Sequence, residues 1–144
     1  MTKKRTGEPW MTAAEYGRTL HGLSLNLLVR DVAKSLPFYS EVLGLHVHYS
    51  DVDFAALERD GVRVQLHADH TYDGMPWAVR LGEPGKRGFG AELRILGVDP
   101  DTAERRAREQ GRVVLVAAHD TAHGWRECIV EDPDGYTFAV GTLR

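Results

Sequence analysis

Between Leu23 and Tyr49 the chain reads LSLNLLVRDVAKSLPFYSEVLGLHVHY, and the period of its apolar positions changes twice. The run Leu25, Leu27, Leu28 and Val29 predicts a strand over residues 23–30. Asp31 stands where a helix starts, Leu36, Tyr39, Val42 and Leu43 recur at helical spacing, and Gly44 stands where a helix ends. A helix is therefore expected over residues 32–43, with one difficulty at Pro37. Beyond the first turn a proline removes a backbone hydrogen bond, so the helix either starts near Ser35, the reading favoured here, or bends. The same succession of strand, Asp, helix, Gly and strand recurs in AELRILGVDPDTAERRAREQGRVVLV, residues 91–116.

Three strands follow the first helix, at residues 45–50, 54–59 and 62–67. Asp60-Gly61 joins the last two and is a strong two-residue hairpin signal. In the last strand Val62, Val64 and Leu66 point one way and Arg63, Gln65 and His67 the other. Residues 68–90 are rich in Gly and Pro and read as a linker between the halves. Trp77 within it either packs on the core, the default, or covers a pocket. The second half predicts a strand at 91–96, a helix from Asp99-Pro100 to Gly111 and a strand at 112–117. A loop with His119, His123 and Gly124 precedes strands at 125–130 and 136–141, the last two joined at Asp134-Gly135. Residues 1–22 read as a peripheral extension, with Thr12 and Glu15 at capping-box spacing for a short helix over 13–18. The organisation is thus an α+β domain over 23–144, made of tandem βαβββ modules at 23–67 and 91–144.

Composition narrows the partners. A chain of 144 residues with 42% hydrophobic positions suits one domain, or two small repeats sharing a core. No run reaches membrane-helix length and no signal-peptide pattern opens the chain, so a cytoplasmic protein without a membrane partner is expected. The formal net charge is −3 and no basic stripe interleaves with aromatics, which argues against nucleic acid. The single Cys128 excludes an intrachain disulfide, fits a reducing cytoplasm and is expected to be buried and inert.

Superposing the two halves on Asp31 and Asp99 matches Ser24 with Glu92. Superposing them on Gly61 and Gly135 matches Gln65 with Ala139. If Phe138 and Val140 meet the helices, Ala139 faces away from them, and period-two alternation sends Gln65 and Glu92 to the same open face. Asn26, Arg63, His67 and Arg94 are expected beside them. Trp77 and Trp125 are candidates for an aromatic rim, which suits flat organic ligands.

The segments LLVRDVAKSLPFYSEVLGL (27–45) and VEDPDGYTFAV (130–140) resemble the vicinal oxygen chelate proteins, which include glyoxalase I, extradiol dioxygenases, and fosfomycin- and bleomycin-resistance proteins. The resemblance implies curled mixed sheets around a cleft, commonly within a homodimer. In metal-using members four inward positions hold a divalent ion, and these fall here on Ser24, Gln65, Glu92 and Ala139. Only Glu92 is a convincing ligand type, whereas catalytic metal sites usually have about three protein ligands.

The leading expectation is a protein without a metal cofactor that binds a small organic molecule in the cleft, by sequestration. Its ligand-binding candidates are Ser24, Asn26, Arg63, Gln65, His67, Trp77, Glu92, Arg94 and Trp125. One alternative is a metal-dependent lyase, isomerase or dioxygenase with a displaced divalent-ion site of Glu92, His67 and a further histidine such as His70 or His21. Another is metal-free catalysis with Glu92 as general base. Glu92 also has a plain structural reading, an ion pair with Arg94 or Arg63.

Overall fold

In the computed structural model, which describes residues 4–144, the elements run in the expected order. They are α1 (Ala13–Gly17), β1 (Ser24–Val29), α2 (Val32–Pro37), β2 (His46–Ser50), β3 (Phe54–Arg59), β4 (Val62–Ala68), β5 (Glu92–Leu96), α3 (Pro100–Glu109), β6 (Val114–Asp120), β7 (Trp125–Glu131) and β8 (Thr137–Leu143). Short 3-10 turns at Asp69–Tyr72 and Ala78–Gly82 occupy the linker. Among the described residues no helix is long and apolar enough to cross a membrane.

The start near Ser35 is not observed. Asp31 Oδ1 accepts the backbone N–H of Lys34 at 3.0 Å, so α2 begins at Val32 and Pro37 lies inside it. Pro37 supplies no N–H and its ring crowds the carbonyl four residues back, and the chain answers by widening. Phe38–Val42 is a π turn, in which the Leu43 N–H reaches the Phe38 carbonyl at 3.1 Å. The Ser40 hydroxyl donates to the Leu36 carbonyl at 3.1 Å within the same turn.

The strands form two mixed four-stranded sheets, ordered β1-β4-β3-β2 and β5-β8-β7-β6. In each, the first strand lies parallel to the last and the other pairings are antiparallel, so the sequence repeat is a repeat of βαβββ topology. Asp60 and Gly61 both take positive φ, 49° and 80°, as a two-residue hairpin of the right twist requires. His119 lies on β6 rather than in a loop.

Two compact units emerge. The chain up to Lys34 groups with Leu45–Glu83, and Ser35–Gly44 groups with Pro84–Arg144. In the second unit the Phe38 and Tyr39 rings pack on Phe138 with centroids 5.7 and 5.6 Å apart, beside buried Ala103 and Ala107 of α3. Asp99 caps α3 through the Thr102 N–H at 3.0 Å. Gly111 (φ 68°) ends it, with Arg112 N–H on the Ala107 carbonyl and Gly111 N–H on the Arg108 carbonyl. Tyr39 donates its hydroxyl to Asp132 Oδ2 at 2.7 Å. Burial drives the Asp132 carboxyl up to about 6, against the hydrogen bonds from Tyr39 and the Tyr136 backbone. Cys128 is fully buried and its thiol is pushed up to about 12, mainly by that burial.

In the first unit Ala55, Leu57, Val64 and Leu66 fill one face of the sheet. Phe54, Ala56 and Gln65, on the other face, are buried as well. That second face is covered by the N-terminal segment.

Candidate functional site

Residues 4–20, within the expected extension, lie as a strap along the first sheet, and the expected short helix is there at Ala13–Gly17. The beginning of the strap is pinned. Lys4 N–H donates to the Thr71 carbonyl at 3.1 Å, and Arg5 Nη2 lies 2.5 Å from Asp51 Oδ2. Thr6 gives both its backbone N–H and its hydroxyl to the Asp53 carboxylate, each at 2.8 Å, and His70 Nε2 meets the same carboxylate at 2.7 Å. Asp53 is only 1% exposed; burial pushes its pKa up, but the donors from Thr6 and His70 and the charge of Arg5 leave it lowered overall. Further along, Trp10 stacks on Tyr49 with centroids 5.1 Å apart and planes within 9°. Thr12 and Glu15 complete a capping box that starts α1. Tyr16 then meets Phe54 edge-on at 5.2 Å. The register explains Phe54: the Asp60-Gly61 turn pairs it with His67, on the same face as Gln65.

Between strap and sheet lies a cavity of about 700 Å³. Trp10, Tyr16, Tyr49 and Phe54 give it aromatic walls, and Asn26, Gln65 and His67 give it a polar floor. The floor groups are organised in neutral pairs. Gln65 Nε2 donates to Ser24 Oγ at 3.0 Å. Asn26 Nδ2 donates to the Tyr72 hydroxyl at 2.7 Å, which turns Asn26 Oδ1 toward His67 Nδ1 at 2.6 Å. An imidazole N–H at Nδ1 is therefore the donor to that amide oxygen. Arg5 also lines the cavity, but Asp51 and Asp53 meet its charge. Such a hollow, largely apolar with a few convergent polar groups, has the size and chemistry of a small-molecule site.

The expected site residues fall into two groups, one on each sheet. Ser24, Asn26, Gln65 and His67 come together as described. Arg63 shares their face, yet its Nε turns to Glu58 at 3.3 Å. Trp77 is 42% exposed and packs on Tyr72 at 5.3 Å, so it neither plugs the core nor lines the cavity. On the second sheet Glu92 is half-exposed and paired with Arg94 at 3.1 Å, and Arg94 also reaches Glu127 at 3.2 Å. Trp125 begins β7 with its backbone N–H on the Thr121 hydroxyl.

The positions that would hold an ion do not fit one. Ser24 Oγ is bonded to Gln65, Glu92 is engaged by Arg94, and Ala139 offers a methyl group. His70 faces Asp53, and among the described residues no three His, Cys, Asp or Glu side chains converge as ligands would. Sequence reasoning missed Trp10, Tyr16, Tyr49 and Phe54. Phe54 was within reach, since hairpin register alone pairs it with His67; the strap residues carried no periodic signal.

A family model described as the Glyoxalase/Bleomycin resistance protein/Dioxygenase superfamily matches residues 21–140, and the chain belongs to that superfamily. Solved structures agree in fold. A hypothetical protein, SA1046 from S. aureus, is 17% identical with a TM-score of 0.68, over 86% of this chain and 94% of that one. A glyoxalase/bleomycin resistance protein/dioxygenase family enzyme from Burkholderia phytofirmans PsJN is 20% identical with a TM-score of 0.67, over 84% and 97%. A glyoxalase-related enzyme from Fulvimarina pelagi is 17% identical with a TM-score of 0.67, over 85% and 87%. No curated protein matches the chain in sequence.

Proposed function

We propose that this member of the superfamily binds a small organic molecule between the N-terminal strap and the first sheet, without a metal ion. The observation that carries the reading is the cavity of about 700 Å³ with four aromatic walls over a floor of neutral hydrogen-bonded pairs. Apolar area supplies affinity there and the amide and imidazole groups supply orientation. Sequestration needs only such affinity, and the poor donor set at the superfamily's ion positions favours it over metal-dependent chemistry. The pairing of Glu92 with Arg94 favours a structural role for Glu92 over that of a general base. A homodimer belongs to the same reading, because edge strand β6 leaves Leu115 and Val116 exposed and such edges need covering.

The test is a thermal-shift screen of small neutral aromatic compounds, run with and without EDTA. Binders should raise the melting temperature equally in both series. Stabilisation that appears only with an added divalent ion would contradict the proposal.

A further inference from the structure

The strap carries a buried polar atom that no group among the described residues uses. The Tyr16 hydroxyl is closed off from solvent and makes no hydrogen bond among the described residues. Gln65 stands at the margin of bonding geometry to it, and the Gln65 amide is already committed to Ser24. Buried polar groups are nearly always paired, and Tyr16 lines the cavity, so its covered, unpaired hydroxyl marks a place where a partner from outside the chain can enter once the strap shifts to uncover it. Burial raises the phenol pKa, with Gln65 and Arg63 pulling the other way, so the group keeps its proton and can donate it. The walls beside it offer flat rings, and Arg5 on the lining has its charge met by two carboxylates.

Resting on the binding reading above, we propose that Tyr16 is the residue that selects the guest, donating a hydrogen bond to an acceptor such as a carbonyl on a neutral, flat aromatic molecule. The strap is the carrier of that selection. It is tied down at residues 4–6 and rejoins the sheet at Ser24, while α1 between them has no buried residue. Sparse packing of this kind lets a segment open at low cost, and closure delivers Tyr16 to the guest.

The test uses the full chain and two fluorescent probes, the neutral naphthyl ketone prodan and dimethylaminonaphthalene, which lacks the ketone. Tyr16→Phe should weaken prodan about fivefold, the scale of one neutral hydrogen bond. It should leave the ketone-free probe within about twofold, and the prodan emission should shift blue as its carbonyl loses a donor. Arg5→Gln combined with Thr6→Val loosens the strap and should instead weaken both probes together, with faster release. Equal affinity of prodan for wild type and Tyr16→Phe, or equal losses for both probes, would overturn the role of Tyr16 while leaving the cavity reading intact. Failure of the wild type to bind either probe would overturn the assigned guest class and count against the cavity reading itself.

Discussion

The two sheets repeat one topology, yet their corresponding faces carry different chemistry. On the first, Ser24, Asn26, Gln65 and His67 are tied in hydrogen-bonded pairs beside the aromatic rings and the strap, with Gln65 buried and Asn26 exposed. On the second, half-exposed Glu92 and Arg94 pair with each other, and Arg94 reaches the buried Glu127, which has His123 3.7 Å away. The chemistry of the pairs sets what each face can offer a guest. Neutral pairs tolerate removal from water, whereas charged ones keep much of their energy only in better geometry or stay where solvent reaches them. The first face thus forms the floor of a pocket, and the second carries a network of ion pairs.

The largest test of this contrast lies in the packing. Phe138→Ala removes a ring held between Phe38 and Tyr39 and should cost about 3–5 kcal/mol in urea unfolding. Phe54→Ala faces a cavity and should cost less than half as much; equal losses would mean the hollow is as tightly filled as the core. Next, Tyr39→Phe leaves Asp132 Oδ2 without its donor and should lose about 1–3 kcal/mol by the same measurement.

Acid response separates the two units further. Asp132 is raised in the fold, so its contribution is complete below its unfolded pKa of 3.8 and is lost as pH climbs through about 6. Asp51 and Asp53 are lowered: burial raises each, but Tyr49 and Arg5 for the one, and Thr6, His70 and Arg5 for the other, outweigh it. Their contribution is present above 3.8 and fails only at lower pH. Asp132→Asn, which keeps the acceptor for the Asp134 and Tyr136 N–H groups, should therefore gain on wild type by roughly 2 kcal/mol between pH 4 and 6.5 in urea titrations. A constant difference across that range would show that Asp132 is not raised. The smallest effect belongs to Glu92→Gln, a half-exposed pair, which should change stability by less than about 1 kcal/mol and leave binding untouched.

Much of the fold could be read from short-range chemistry. Asp60-Gly61 fixed a hairpin and its register, Asp99-Pro100 and Gly111 bracketed α3, and alternation put Gln65 opposite the apolar face. Pro37 misled because a π turn absorbs its strain, a local adjustment with no periodic trace. The strap was legible only in its Thr12–Glu15 capping box, for a different reason. Its helix has five residues, and what orders it are pairings such as Thr6 with Asp53 and Tyr16 with Phe54, whose partners lie far along the chain. The floor of the site was visible in the strands, and its roof was not.

The central claim concerns which face takes the guest. Backbone amide chemical shifts followed during titration with a neutral aromatic binder test it most directly. Binding under the strap predicts shifts concentrated at Trp10, Tyr16, Phe54, Gln65 and His67, unchanged by EDTA. Shifts centred on Glu92, Arg94 and Glu127, or shifts that vanish when divalent ions are chelated, would contradict it.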